Sequence, residues 1–360
     1  MIDYIASVDP YDRCVLVQCF VGESDLILNS EPTFRDGNSP VVVHTYPGEK
    51  EEVYEPLLGY DHFTGVSLQE DPSSGYDSTV QWVQQSAKSQ HKWVVAFDEQ
   101  GHFSTGVVPD SEDPQHDSIR KYVLWANLMG GGAGVEYYFG TIPQRALALF
   151  GIQISHRPCF IVVLGYNFPN SDLTCEDYRS RQRMWDQSRY ALEFFEAYVP
   201  YWSMQVTTDC AAERDDIAGS PSHWCLVSEE KPVMVLYLPS GGEPLLQGLP
   251  AGFVLSIQWY NPLTGGDLLS GSIQTLLTNG AAQSIGSSPS TTVEAQDWAV
   301  LLQCSQCSPA AFVDAVMLAS SPTASPISQP ISLSTPSSSS CFTLLGGTTV
   351  VLFLLMSSLV

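Results

Sequence analysis

The sequence predicts an α/β protein in which parallel strand and helix units precede an antiparallel β-sandwich. In the first part of the chain, short apolar or β-branched segments alternate with segments of helical periodicity, as in parallel strands joined by helices. Beyond Trp224, short strands are separated by Gly, Pro and Asn turns, without a helical period. The first pattern predicts parallel units that close into a barrel or form a doubly wound sheet.

The elements of the first part follow from periodicity and stop signals. Strands are predicted at residues 41–43, 63–68 and 93–97, and another after the glycine turn that begins at Gly130. Amphipathic helices are predicted at residues 78–89, 118–129 and 175–198. Asp117 is predicted to be the N-cap of the second of these helices.

The second part is predicted to be an accessory β-sandwich at residues 221–303. Its strands are predicted at residues 224–227, 233–238, 253–260 and 298–303. Because this module has its own strands and aromatic residues, it is expected to fold independently. Cys304 and Cys307 have CxxC spacing, but no second CxxC pair exists to complete a zinc site, so they are predicted to be a disulfide or two free thiols.

The composition limits the classes of partner. The 360 residues include 15 Lys and Arg against 39 Asp and Glu, a net charge of −24, which excludes the clustered phosphate contacts of nucleic-acid binding. Hydrophobic residues make up 44% of the chain, enough for a buried core in each of two domains.

The two ends of the sequence carry targeting information. Residues 341–360 are uncharged and long enough to span a bilayer as a helix, and residues 319–340 form a Ser/Thr/Pro-rich stalk. No Lys or Arg follows the apolar run, which suits a lipid-anchor signal better than a permanent transmembrane helix. The N-terminus has no signal peptide. We therefore expect a protein anchored at the extracellular face of the cell membrane, and a chain that lacks its original beginning.

Glu99 is the strongest candidate for a catalytic residue. It ends an apolar strand, and in parallel barrels the active site is built at the carboxyl ends of the strands. A carboxylate at that place can act as nucleophile or acid/base in glycoside hydrolysis. The competing interpretation is a Glu that caps the next helix or pairs with an Arg.

Other residues are candidates for substrate binding. Glu136 lies in the glycine-rich strand, where it would point into a barrel or pair with a buried Arg. His44 ends the first strand, where it would hydrogen-bond a sugar hydroxyl or cap a turn. Aromatic rings stack on sugars, although at these spacings they more often belong to the core. The aromatic candidates are Trp125, Tyr137, Tyr138 and Trp202.

Longer motifs resemble a known group of proteins. PVVVHTYPG, WVVAFDEQG and IRKYVLWANLMGGGAGVEYYFG, with WYNPLTGG and DWAVLL in the second part, resemble segments of uncharacterised (β/α)8 proteins related to glycoside hydrolases. That group is similar to the apiosidase-like enzymes and carries a C-terminal module called a collagen-binding domain. The resemblance covers most of residues 1–303.

The resemblance implies a fold and a mechanism. Residues 1–205 would form strands five to eight of a TIM barrel, and residues 221–303 the collagen-binding-type domain. Glu99 would end strand seven, which carries the nucleophile in retaining hydrolases of this type. The acid/base carboxylate, at the end of strand four, would precede Met1 and be absent. We therefore expect an inactive fragment of a cell-surface glycoside hydrolase, acting on oligo- or polysaccharides without a metal ion or an organic cofactor.

Two segments interrupt the family pattern, residues 14–38 and residues 141–165. Removing either segment restores an uninterrupted motif, and neither has an amphipathic period that fits its neighbours. Translated introns are the preferred explanation. Genuine loops are the alternative, and the second loop would then form a lid over the active site.

The competing function is a non-catalytic surface protein whose sandwich binds a glycan or a matrix protein. Collagen binding itself is not expected, because nothing in the sequence indicates a groove for a triple helix. A chain with a net charge of −24 also offers little to attract acidic partners.

Overall fold

The computed structural model describes residues 15–16, 41–60, 63–100, 107–137, 179–207, 210–212, 223–247, 249–289 and 297–319 of the chain. Several predictions therefore fall outside the described residues. These are the predictions for residues 1–13, for the segment at 14–38 except for residues 15–16, for Tyr138, for the segment at 141–165, for the stalk beyond residue 319 and for the apolar tail at 341–360.

The first part of the chain contains a parallel sheet of five strands. In chain order the strands are β1 (Val15–Leu16), β2 (Val41–Thr45), β3 (Gly65–Glu70), β4 (Val94–Gln100) and β5 (Gly134–Val135). They lie side by side in that same order, and each adjacent pair is parallel. The parallel sheet expected from the alternation of strands and helices is confirmed.

Helices follow β2, β3, β4 and β5 in the chain. They are α1 (Lys50–Tyr54), α2 (Gly75–Lys88), α3 (Asp117–Ile119), α4 (Ala126–Met129) and α5 (Gln182–Tyr198), with short 3-10 turns before α1, α2 and α5. Trp82 of α2 is fully buried and packs edge-on against Tyr54 of α1. With Val66, Val95 and Phe97 of the sheet, these rings form the core between helices and strands.

The helix predicted at residues 118–129 differs from a regular α-helix. A π-helical segment, Arg120–Trp125, separates α3 from α4. The prediction that Asp117 is the N-cap is wrong: the capping position is His116, which adopts a left-handed conformation with φ of 47°. The Asp117 carboxylate pairs with Arg120 and Lys121 instead of accepting backbone N–H groups.

The second part of the chain is antiparallel. A six-stranded sheet has the order β12 (Thr275–Leu277), β11 (Val254–Tyr260), β14 (Trp298–Cys304), β9 (Val233–Leu238), β8 (Trp224–Ser228) and β6 (Met204–Thr207). A smaller sheet has the order β13 (Gln283–Ser284), β10 (Leu245–Leu246) and β7 (Ala211–Ala212). The predicted strands are confirmed, and strands β6 and β7 begin the antiparallel region before residue 221.

Two disulfides join parts of this region. One links Cys210 to Cys225, and the other links Cys304 to Cys307. The CxxC pair is thus a disulfide, which is one of the two alternatives that its spacing allowed.

The six-stranded sheet is buried on both faces. One face packs against the smaller sheet and helix α6 (Pro309–Ala319), the last helix among the described residues, with Val227 and Leu236 among the contacts. The other face packs against α4 and α5 of the first part, and Trp224 and Tyr237 lie in this second core. Residues 221–303 alone would expose that second apolar face to water, so the expectation that this module folds independently does not agree with the packing.

A buried ion pair also joins the two parts. The Arg120 guanidinium donates to both carboxylate oxygens of Asp297, at 2.7 to 3.2 Å, and both side chains are essentially inaccessible to solvent. The Tyr237 hydroxyl donates to the same carboxylate at 2.5 Å. The π-helical segment of the first part is thereby linked, through Arg120, to Asp297 and Tyr237 of the antiparallel region.

None of the helices in the described ranges is long and apolar enough to cross a bilayer.

Candidate functional site

The sequence-predicted residues His44, Glu99 and Glu136 meet at one edge of the parallel sheet. His44 lies near the end of β2, Glu99 near the end of β4, and Glu136 directly after β5. Carboxyl ends of parallel strands lie at the same edge, which explains why residues so far apart in sequence come together. We call this group, together with Ser67, Gln69 and Asp98, the strand-end cluster.

An irregularity in β4 brings two consecutive carboxylates into the strand-end cluster. Leu68 of β3 pairs with Phe97, but the next residue, Gln69, pairs with Glu99, so Asp98 is an extra residue in β4. In a regular strand, successive side chains point to opposite faces. The bulge changes this alternation locally, and both Asp98 and Glu99 approach His44.

His44 is the centre of the hydrogen-bonding network. Its Nδ1 lies 3.0 Å from Ser67 Oγ and 3.4 Å from Asp98 Oδ1, while its Nε2 lies 3.3 Å from Glu99 Oε2. Gln69 Nε2 donates to the other Glu99 oxygen, Oε1, at 2.9 Å. Glu99 is therefore held from both sides, yet 26% of its side chain stays accessible to solvent.

The electrostatics of the cluster favour a charged imidazole. Burial by itself would lower the pKa of His44, but hydrogen bonds to Asp98 and Glu99 and their negative charges outweigh burial and raise the pKa to about 10. Burial raises the pKa of Asp98, against the opposing effect of the nearby His44. At neutral pH the cluster thus contains an imidazolium between carboxyl groups.

Glu136 is a carboxyl group of the cluster whose pKa lies well above its ordinary value. Burial raises the pKa of Glu136 to about 8, and the negative charges of Asp98 and Glu99 act in the same direction, opposed by His44. A carboxyl group with this pKa is mostly protonated at pH 7. It can then donate a hydrogen bond, which an ionised carboxylate cannot do.

Buried polar contacts fix the strands that carry the cluster. The Tyr54 hydroxyl donates to the Ser67 carbonyl oxygen at 3.0 Å. Lys50, which is buried, pairs with Glu70 at the end of β3 and donates to Ser78 Oγ at 3.1 Å. These contacts connect α1 and α2 to the end of β3, so the helices set the position of that strand.

Asn127 holds β5, and with it Glu136. Its Oδ1 accepts from the Gly134 N–H at 2.8 Å, and its Nδ2 donates to the Val95 carbonyl oxygen and to Thr79 Oγ1, both at 3.2 Å. Asn127 is fully buried, so these contacts replace hydrogen bonds that the groups would otherwise make with water.

Two predicted substrate-binding residues lie in the core instead. Trp125 is fully buried, stacks on Tyr237 at 4.8 Å between ring centroids and contacts Phe194, so its ring has no free face for a sugar. Tyr137 is 8% exposed, and its hydroxyl hydrogen-bonds Ser188 Oγ at 2.7 Å. The substrate-binding predictions for Trp125 and Tyr137 are wrong, because packing takes up both rings.

Sequence reasoning missed Ser67, Gln69 and Asp98. Ser67 and Gln69 are polar residues two positions apart in a buried strand, GVSLQE, next to the strands that carry His44 and Glu99. That spacing is a signal that the sequence does contain. Asp98 could not be assigned to the site from sequence, because in a regular strand it would lie on the face opposite to Glu99, and only the bulge brings it to His44.

One group of potential metal ligands occurs among the described residues. Cys210, His223 and Cys225 have potential ligand atoms within 4.8 Å of one another. The two cysteines are joined in a disulfide, so they do not offer the thiolates that a zinc ion requires.

No model of a known protein family matches this chain, and no curated protein matches it. Solved structures do. One is a glycoside hydrolase family 5 protein from Bacteroides vulgatus ATCC 8482, with a TM-score of 0.48 and 12% identity over 76% of this chain and 57% of that protein. Another, described as a glycoside hydrolase, has a TM-score of 0.50 and 10% identity over 76% of this chain and 59% of its own.

These similarities concern the fold. The second structure indicates a glycoside-hydrolase-like fold, which agrees with the parallel sheet and its helices. The chain spans less than two thirds of the length of either structure. At this level of identity the comparison does not transfer an activity or a substrate.

Proposed function

We propose that the strand-end cluster is part of a glycoside hydrolase active site, with Glu99 as the nucleophile and an oligo- or polysaccharide as the substrate. The observation that carries the proposal is the environment of Glu99. Its carboxylate lies at the carboxyl edge of a parallel sheet, is held by Gln69 and His44, and remains open to solvent. The glycoside-hydrolase-like fold supports the same proposal.

The chemistry follows from these positions. A Glu99 oxygen forms a bond to the anomeric carbon of the sugar as the bond to the leaving oxygen breaks; a phenolate leaves as the anion, whereas the leaving oxygen of a natural glycoside must be protonated by an acid group. Water then cleaves the glycosyl ester and restores the carboxylate. Gln69 and His44 donate to the Glu99 oxygens and hold the carboxylate in place. Their hydrogen bonds also stabilise its negative charge before the attack and after the release.

Glu136 has a different role in this proposal. Because its carboxyl group is protonated at neutral pH, it donates a hydrogen bond to a sugar hydroxyl at the edge of the site. A natural glycoside additionally needs a proton donor about 5 to 5.5 Å from the nucleophile to protonate the leaving oxygen. A dinitrophenyl glycoside does not, since its leaving group departs as a stable phenolate.

Dinitrophenyl glycosides therefore test the proposal with the chain as it exists. We expect the wild-type chain to release dinitrophenol from at least one member of a panel of pyranosides. Glu99→Gln should lower kcat/KM about a thousandfold without changing the melting temperature, because it removes the attacking charge and little packing. The matched control is Glu196→Gln, an exposed substitution on α5, which should keep full activity.

Two results would reject the catalytic role of Glu99. One is near-normal turnover by Glu99→Gln. The other is binding of a glycoside by the wild-type chain without any release of dinitrophenol, which would favour a non-catalytic glycan-binding protein.

A further inference from the structure

Trp202 is unusual among the tryptophans of this chain. The sequence contains eight, all of them within the described ranges, and six are almost completely buried. Trp185 is half-buried, whereas Trp202 is 73% exposed. Single exposed apolar residues are common on protein surfaces, so exposure alone does not mark a site.

The ring is nevertheless held in a defined position. Trp202 Nε1 donates to Glu230 Oε2 at 3.0 Å, and Lys231 Nζ lies over the ring, 5.9 Å from its centroid. The backbone N–H of Glu229 donates to the Ser203 carbonyl oxygen at 2.9 Å, and the Ser203 and Ser228 hydroxyls are 2.9 Å apart. The turn that carries Trp202 is thus hydrogen-bonded to the end of β8 and the turn that follows it.

The residue next to this exposed ring contacts the chain before β5. The Tyr201 hydroxyl donates to the carbonyl oxygens of Leu128 in α4 and of Gly132 in the turn before β5. Tyr201 thus contacts the segment that leads into the parallel strand β5, whereas Glu99 lies near the end of β4.

Polar groups surround the ring. Gln205 donates to Glu229, Glu230 accepts from the indole N–H, and the Lys231 ammonium lies over the ring at cation–π distance. An aromatic face bordered by hydrogen-bonding groups matches a pyranose ring, which has an apolar C–H face and hydroxyls along its edge. A flat apolar partner would leave the carboxylates and the ammonium group desolvated without partners.

We propose that Trp202, with Glu229, Glu230 and Lys231, forms a carbohydrate-binding site for neutral pyranose polymers, separate from the proposed active site. Neutral polymers are favoured over acidic ones because the Glu230 carboxylate accepts from the indole, Glu229 precedes it in the chain, and the whole chain carries a net charge of −24. Such a site would hold a polysaccharide against the protein surface without taking part in hydrolysis.

Adsorption to insoluble polysaccharide tests this site with the full chain. The panel is cellulose, insoluble xylan and insoluble mannan, with cross-linked polygalacturonate as the acidic comparison. We expect the wild-type chain to adsorb to at least one of the three neutral polymers and not to polygalacturonate. Trp202→Ala should weaken that adsorption about tenfold or more, and Trp202→Tyr should restore part of it.

Two control variants show whether adsorption depends on this ring in particular. Leu277→Ala removes another exposed apolar side chain, 61% accessible on edge strand β12, and should adsorb as the wild type does. Glu99→Gln should also adsorb normally, so that failure of the proposed hydrolase function and failure of this proposal are distinguishable. Unchanged melting temperatures would verify that each variant is folded.

Fluorescence provides an independent measurement. Because the other tryptophans are buried or half-buried, iodide should quench mainly Trp202, and soluble fragments of the adsorbing polymer should protect it. Equal adsorption by wild type and Trp202→Ala, or no adsorption of the wild type to any neutral polymer, would overturn the proposal.

Discussion

His44 acquires its properties from one extra residue in β4. The bulge at Asp98 places two carboxylates beside the imidazole, and their charges outweigh the burial that would otherwise lower its pKa. A histidine at a strand end is unremarkable by itself. In this position its raised pKa favours the imidazolium at physiological pH, and its Nε2 lies 3.3 Å from Glu99 Oε2.

The pH dependence of stability should reveal this charge. The His44 pKa rises from 6.5 to about 10 on folding, so its stabilising effect is complete below pH 6.5 and is lost as the pH rises towards 10. We expect the free energy of unfolding of the wild type to fall between pH 8 and pH 10, by up to about 1.4 kcal/mol per pH unit from this group. Above pH 8 Glu136 is mostly ionised in the folded and the unfolded chain, so it adds little to the slope of the unfolding free energy with pH.

Denaturant titrations of wild type, His44→Gln and His91→Gln at pH 8, 9 and 10 measure this effect. His44→Gln should remove most of the decline, whereas His91→Gln, a change before β4 and outside the cluster, should retain it. An equally steep decline in His44→Gln would show that another group is responsible.

At the scale of elements, the sequence predicted strands better than it predicted contacts between them. The strands that carry His44 and Glu99 were expected from β-branched runs and stop signals, and their shared edge follows from parallel pairing. The register was not predictable. A bulge and a π-helical segment each break a periodicity, and no local signal in the sequence marks either one.

Trp125 illustrates a second limit. An aromatic residue with helical spacing fits a core or a sugar-binding surface equally well from sequence, and only the antiparallel sheet packed against it decides for the core. Trp202 is the opposite case, since its exposure depends on how two loops meet. Long-range packing, rather than local preference, separates these two tryptophans.

Asn127 connects element geometry to the site. Asn127→Ala would remove the buried partner of the Gly134 N–H, whereas the Val95 carbonyl oxygen would keep its bond from the Ala133 N–H. We expect a loss of about 2 to 3 kcal/mol in the free energy of unfolding, with reduced activity because β5 carries Glu136. Urea denaturation measures the loss. Asn279→Ala, an exposed turn substitution, should cost less than about 1 kcal/mol, and a similar cost for both would contradict the assigned role.

At the scale of the whole molecule, the antiparallel region packs against helices of the first part and shares a hydrophobic core with them. Its six-stranded sheet has apolar residues on both faces, and α4 and α5 cover one of them. This explains why its central strands β8, β9 and β14 are buried almost throughout rather than at alternate residues, a pattern that the sequence alone assigns to a sandwich core. The two parts of the chain are expected to unfold together.

The buried ion pair between these parts offers a direct test. Asp297→Ala would leave the Arg120 guanidinium buried without its main counter-charge. We expect a destabilisation of about 3 to 5 kcal/mol, whereas Asp267→Ala, at an exposed position, should have little effect. Thermal unfolding by circular dichroism measures both variants. A stable Asp297→Ala protein with an unchanged transition would show that the two parts are held together by other contacts.

The assignment of Glu99 as a nucleophile is tested most directly by trapping the glycosyl-enzyme. Dinitrophenyl 2-deoxy-2-fluoroglycosides keep a good leaving group but slow the release of the sugar, so the covalent ester accumulates. Mass spectrometry of the wild-type chain should find one added fluoroglycosyl group, located on the peptide that contains Glu99, and Glu99→Gln should gain none. An adduct on another carboxylate, or no adduct with any sugar of the panel, would contradict this assignment.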